Sequence, residues 1–276
     1  MSAALSIVPD APRLRICDPD GTVHFGHLKR ISKSGQQYLQ AVNVPTVATT
    51  PMLIGTAAHF LVLGPRTGAK PLLKFDGPRR QGKAWDAFEA TNDGADILTA
   101  PEWEKAERIA ESVLSDPVAL ARLTGARFET PLAWEEAGVK FSTSGTDIIT
   151  REDALGDLKS TNTVEPEAWE RQAFRMGYPQ QVAFYRRGAR ANGITCKGGL
   201  FLLGVETSPP YEVVDLDLTE RLIDLAERSI SLWIERFRAY RSACPQPRRI
   251  KDWPGYAQSR IAMDIPSWAE VDDEEE

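Results

Sequence analysis

Gly145-Thr146-Asp147-Ile148-Ile149-Thr150-Arg151-Glu152-Asp153-Ala154-Leu155-Gly156-Asp157-Leu158-Lys159-Ser160-Thr161 reads as two strands joined by a short polar turn. Side chains alternate faces along a strand, so Asp157 and Lys159 share one face while Leu158 points into the core. Asp147 stands at the end of the first strand, and Arg151-Glu152-Asp153 suits the turn. A hairpin of this length returns Asp157 alongside Asp147.

Two carboxylates with a free edge can hold divalent cations. Such ions stabilise the charge that builds up when a phosphodiester is hydrolysed, and they activate the attacking water. A lysine on the same face adds positive charge near the phosphate. Neighbouring aspartates should raise its pKa, so Lys159 is read as orienting water and stabilising charge more than as a free base. Asp-x-Lys by itself also fits a solvated, salt-bridged face.

The flanking sequence adds further candidates. Residues 129–141 read as a strand, a turn and the start of the next strand, so Glu129 enters the sheet just before the aspartate hairpin. Met52 to Leu63 is an apolar helix carrying His59, with Gly55 one turn earlier leaving room for close backbone approach. Tyr178-Pro179-Gln180-Gln181-Val182-Ala183-Phe184-Tyr185 begins another helix, with proline tolerated in its first turn. Gln181 and Tyr185 then stack one turn apart. Each candidate has a plainer reading: His59 as a core residue, Glu129 as a surface strand residue, and Gln181 with Tyr185 as a hydrogen bond across a helix pair.

Gly55-Thr56-Ala57-Ala58-His59, Glu129, Asp147, Asp157-Leu158-Lys159-Ser160-Thr161 and Gln181-Val182-Ala183-Phe184-Tyr185, in this order and spacing, resemble the PD-(D/E)XK nucleases of the RecB type. Within that superfamily the chain is most similar to the phage exonucleases of the exonuclease VIII, RecE-like, group. Leu28 to Gly35, Gly82 to Phe88, Leu98-Thr99, Trp253 to Tyr256 and Ile265 to Trp268 extend the resemblance over about residues 28 to 268. It implies an α/β fold with a restriction-endonuclease-like core, a central mixed sheet flanked by helices, and helical N- and C-terminal additions.

The resemblance also implies roles. His59, Asp147, Asp157 and the Leu158 carbonyl would bind metal, Mg²⁺ or Mn²⁺, as two ions. Glu129 would reach a metal directly or through water, Lys159 would sit beside the nucleophilic water, and Gln181 with Tyr185 would support the metal site or the DNA backbone. The implied activity is digestion of one strand from duplex DNA ends, 5′ to 3′, leaving a 3′ single strand. The implied partners are a phage single-strand annealing protein and further copies of the chain in a homo-oligomeric ring. One departure is Gly145-Thr146, where the family often has Arg-Pro, so a phosphate contact from that arginine is not expected here. The rivals are an endonuclease or single-strand nuclease on the same core, and a catalytically idle DNA-binding or interaction module. Asp147, Asp157 and Lys159 together argue against the idle module.

At 276 residues and 42% hydrophobic content the chain can bury a substantial core. The expected organisation is an irregular segment over 1–27, one nuclease domain over 28–268 and an acidic disordered tail over 269–276. Net charge is −6, but the six acids from Glu270 to Glu276 account for it, leaving 33 acidic and 33 basic residues. A neutral body binds DNA if its bases are grouped. Groups occur at Lys29 to Lys33, Arg79 to Lys83, Arg186 to Arg190 and Arg248 to Lys251. Lys29, Arg30, Lys33 and Ser34 are the candidates for gripping a terminal phosphate, since charged and hydroxyl donors suit phosphate oxygens.

Cys17, Cys196 and Cys244 are odd in number and far apart, which suits a reducing cytoplasm and excludes a four-cysteine iron-sulfur cluster. The apolar run at 52–63 is too short to cross a bilayer. No Walker loop or dinucleotide fingerprint occurs. Apolar spacing predicts helices over 101–124 (Ala106, Ile109, Ala110, Val113, Leu114), 166–187 and 219–242 (Leu222, Leu225, Ala226, Ile230, Trp233, Ile234, Phe237). Strands are expected over 128–160, 199–205 and 211–216.

Overall fold

The computed structural model describes residues 13–256. The acidic tail, Ile265 to Trp268 and the first twelve residues lie outside that range. In chain order, α1 (Phe25–Leu28) and a 3-10 turn (Lys29–Ser32) lead into α2 (Gly35–Asn43), α3 (Thr50–Leu63), β1 (Leu72–Phe75) and α4 (Lys83–Thr91). Next come β2 (Asp96–Thr99), α5 (Ala100–Ser115), α6 (Pro117–Leu123), β3 (Arg127–Glu136), β4 (Val139–Ile149) and β5 (Leu155–Thr161). The chain continues through α7 (Pro166–Met176), α8 (Tyr178–Ala191), β6 (Leu200–Glu206), β7 (Val213–Asp217) and α9 (Glu220–Ala243).

The main sheet has the order β3-β4-β5-β6-β7, and only β5 and β6 are parallel. That parallel pair needs a crossover, supplied by α7 and α8. The β3–β4 turn, Ala137-Gly138, has φ of 53° and 72°, the two positive angles that suit a tight hairpin between twisted strands. The mixed sheet with flanking helices is the architecture expected from the sequence.

Period-two alternation builds a core on each face. Along β6, Leu200 and Leu202 join a cluster with α1, α2, α8 and α9, whereas Phe201, Leu203 and Val205 join one with α3, α5 and α6. Each large apolar side chain buried this way stabilises the fold by roughly 1.5–3 kcal/mol. On β5, Leu155 faces the first cluster and Leu158 the second, so the face carrying Asp157 and Lys159 is the one that α8 covers.

Four expectations need correction. The helix over 101–124 is two, because Asp116 leaves the helical conformation at ψ 125° before Pro117 and its carboxylate caps α6. The helix over 166–187 breaks at Gly177, whose φ of 73° ends α7 and opens α8. Leu225 and Leu114 are exposed. The buried stripe of α9 runs Ile223, Ala226, Ile230, Trp233, Ile234, Phe237, and Leu225 falls between its rows. Finally, helix α1 starts at Phe25, inside the segment read as irregular.

Candidate active site

The site forms where the sheet opens. β3 and β4 pair over most of their length, but β4 and β5 pair only at Ile148↔Gly156 and Ile149↔Leu155. Beyond those positions the Leu158 amide has no strand carbonyl opposite and instead donates to Asp147 Oδ2 at 3.1 Å. Asp147 therefore completes the ladder with its side chain, and both aspartates are buried at 1% and 0% exposure.

Glu129 arrives through a bulge. The β3–β4 register shifts between Thr130 and Leu132, and Glu129 has φ 44°, a left-handed backbone that costs energy in a residue with a side chain. The bent strand lays Glu129 over Gly145, where a Cβ would come within 2.1 Å of Oε2 and 3.2 Å of the Glu129 Cα. The glycine at the expected Arg-Pro position thus makes room for Glu129. Gly145→Ala should keep the fold but push Glu129 aside and weaken Mn²⁺ binding by about 10–100-fold, the usual effect of displacing an orienting contact. Unchanged affinity by calorimetry would show that Glu129 is not positioned by this contact.

α3 carries His59 to the same point. A Cβ at Gly55 would lie 2.9 Å from Ser160 Oγ, so glycine lets the helix approach β5, as the sequence suggested. His59 Nε2 lies 2.6 Å from the Leu158 carbonyl oxygen, and Nδ1 lies 3.7 Å from Asp147 Oδ2. Burial, helped by the charge of Lys159, lowers its pKa to about 4, so the imidazole is neutral at pH 7.

From α8, Gln181 Nε2 donates to Asp157 Oδ1 at 3.1 Å and to the Tyr185 hydroxyl at 2.6 Å. The Lys159 ammonium pairs with Asp157 Oδ2 and sits 5.0 Å from the centre of the Tyr178 ring. Burial pushes Asp157 up to about 7 even though Lys159 opposes it. Burial likewise raises Asp147 against the pull of Lys159 and Arg66. Burial disfavours the charge on Lys159, but Asp157 and Asp147 outweigh it and its pKa rises. Lys159 is therefore held as a cation, its pKa moved in the direction expected from its aspartate neighbours.

Arg66, on the loop after α3, carries no sequence signal of its own. Its Nε and Nη2 donate to the two Glu129 carboxylate oxygens at 2.8 and 3.2 Å, and Nη2 also reaches Asp147 Oδ1 at 3.1 Å. These groups line one end of a cavity of about 960 Å³ whose wall includes Met52, Phe60 and Tyr178.

The donor set suits a divalent cation. Ligand atoms of His59, Glu129 and Asp147 all lie within 4.8 Å of one another. Asp157 stands outside that three-residue group, tied to Lys159 and Gln181.

The basic groups separate. Lys29 donates to the Met176 carbonyl at 3.0 Å, beside the α7–α8 corner, and its pKa is lowered by burial and by Arg30, Lys159 and Lys33. Lys29 thus feels the positive charge of Lys159 as well as that of Arg30 and Lys33. Ser34 is buried and caps α2 by accepting from the Gln37 amide at 3.1 Å. Arg186 and Arg187 are largely buried and taken up by ion pairs: Arg186 with Glu220 and Glu227, Arg187 with Glu136 and Glu227. Arg80 pairs with Glu102 and Arg249 with Asp252. Cys17, Cys196 and Cys244 are unpaired, and no helix among the described residues is long and apolar enough to cross a membrane.

Comparison with solved structures finds a candidate exonuclease from Eubacterium rectale, with TM-score 0.52 and 15% identity over 79% of this chain and 82% of that one. At that identity the likeness speaks for the fold alone. A second structure, SSO0001, overlaps 47% of this chain and 67% of its own at 16% identity and TM-score 0.25. Comparison with curated proteins finds no match. The model of the PDDEXK-like domain of unknown function (DUF3799) matches residues 25–251, which span the described fold from α1 through α9 and the whole candidate site. The chain therefore belongs to that PDDEXK-like family, and with it to the PD-(D/E)XK nuclease superfamily.

Proposed function

We propose that this nuclease is a divalent-metal-dependent DNA exonuclease of phage or prophage recombination, resecting one strand from duplex ends, 5′ to 3′, in the bacterial cytoplasm. The observation that carries the reading is the meeting of Asp147, the Leu158 carbonyl, His59 and Glu129 at the opening of the sheet, with the Asp157–Lys159 pair beside them. His59, Asp147, Asp157 and Leu158 O would hold Mg²⁺ or Mn²⁺, with Glu129 reaching it directly or through water. Such ions activate water and neutralise phosphate charge when bound.

The chain's own residues have these roles. Gln181 fixes the Asp157 carboxylate and is itself held by Tyr185. Lys159, kept protonated by Asp157 and Asp147, offers fixed positive charge to a phosphate in the cavity and orients the attacking water. Lys29, Arg30 and Lys33 extend that charge along the path of the DNA backbone. Ser34 is the weaker candidate because its oxygen already caps α2. A homo-oligomeric ring and a single-strand annealing partner complete the reading.

Selectivity for ends must come from what surrounds the metal site, since the carboxylates alone would cut any phosphodiester that reached them. Linear end-labelled duplex should be degraded progressively in Mg²⁺ while covalently closed circles persist, and chelator should abolish the reaction. Efficient nicking of closed circles under the same conditions would overturn the exonuclease reading in favour of an endonuclease.

A further inference from the structure

Arg66 stands at the donors that a cation would need. Its guanidinium engages both oxygens of Glu129 and Oδ1 of Asp147, two of the three residues whose ligand atoms gather within 4.8 Å. A fork of N–H donors across two carboxylates is the strongest pairing that arginine makes. Metal and guanidinium would share the same oxygens, so each must weaken the hold of the other.

Arg66 is the accessible member of this cluster. It springs from the loop between α3 and β1, where Gly64 and Gly68 have φ of 85° and 72°. Its side chain is 39% exposed, whereas those of Glu129 and Asp147 are 5% and 1% exposed, so the carboxylates are buried while the guanidinium is open to solvent. The cavity of about 960 Å³ beside it is lined by these carboxylates together with Phe60 and Lys70. A guanidinium freed from Glu129 has anionic DNA as its next partner.

We propose that Arg66 is an exchangeable counter-cation: without metal it holds Glu129 and Asp147, and when a divalent ion takes those oxygens the arm turns into the cavity and binds a backbone phosphate of the DNA. The inference rests on the nuclease reading and adds an order of events to it. Metal loading creates a phosphate-binding arginine, so DNA and metal support each other's binding.

The test is calorimetric titration of Mn²⁺ into wild type, Arg66→Ala and Arg66→Lys, with duplex affinity measured in Ca²⁺, which loads the site while supporting little chemistry. Arg66→Ala should bind Mn²⁺ on the order of tenfold more tightly, the scale of ordinary coupling between competing ligands. In Ca²⁺ the same variant should bind duplex severalfold more weakly, with a salt slope lower by about one phosphate contact. Arg66→Lys, which keeps charge but lacks the fork, should fall between, and it serves if the alanine variant does not fold. Unchanged or weaker Mn²⁺ binding by the variants would overturn the proposal and make Arg66 a fixed strut. Tighter Mn²⁺ binding with unchanged DNA affinity would also overturn the exchange. Wild type that takes up neither ion would instead defeat the nuclease reading, so the two failures are distinct.

Discussion

Asp157→Asn and Lys159→Ala should each lower turnover by at least about a hundredfold, because fixed electrostatic groups at the reacting centre commonly supply that much. Both residues face α8, and each is the other's ion partner. The asparagine keeps the shape of the aspartate while removing the charge that a metal would need. The alanine leaves Asp157 held only by Gln181 and removes the cation above Tyr178. Neither change touches the two apolar clusters, so circular dichroism should report an intact fold, and duplex binding in Ca²⁺ should survive. Near-normal cleavage by either folded variant would end the catalytic assignment.

Trp253→Ala should cost about 3–5 kcal/mol of stability, the usual range for deleting a buried large aromatic. Trp253 is 1% exposed and packs within 5.5–5.9 Å of the Tyr38, Phe237 and Tyr240 rings, while its Nε1 donates to the Cys244 carbonyl at 3.0 Å. Its Cβ lies so close to Gly35 that a methyl there would meet it at 3.0 Å. This one side chain joins α2 at the start of the described chain to α9 at its end. A lower urea midpoint with an unchanged slope would mark a pure stability loss. A loss below about 1 kcal/mol would mean that the closing segment only drapes over the surface.

Much of the site was legible in the chain because its signals are local. Asp157 and Lys159 share a face by the two-residue period of a strand, and Gln181 and Tyr185 meet by the turn of a helix. Gly55 marked the close approach of α3 to β5, where a Cβ would press on the Ser160 hydroxyl. The helix breaks were also written in local chemistry, at Asp116-Pro117 and Gly177, although continuous apolar spacing across them favoured longer helices.

What local pattern cannot carry is the choice of partner across the fold. Arg66 meets Glu129 and Asp147 over 63 and 81 residues of chain, and Arg186 and Arg187 reach their glutamates over 34 to 51. An arginine taken up by an ion pair and one on a DNA-facing surface have the same sequence, so packing alone decides which is which. By itself the sequence determined the strands of the main sheet, the apolar helices α3 and α9, and the face shared by Asp157 and its lysine, since each follows from backbone period and side-chain type. Only the tertiary structure decided that β4 and β5 part at Asp147, that Glu129 enters through a bulge over Gly145, and that Arg66 sits among the carboxylates. Those outcomes depend on which buried charges find a counter-charge at short range, and that is settled when the elements pack.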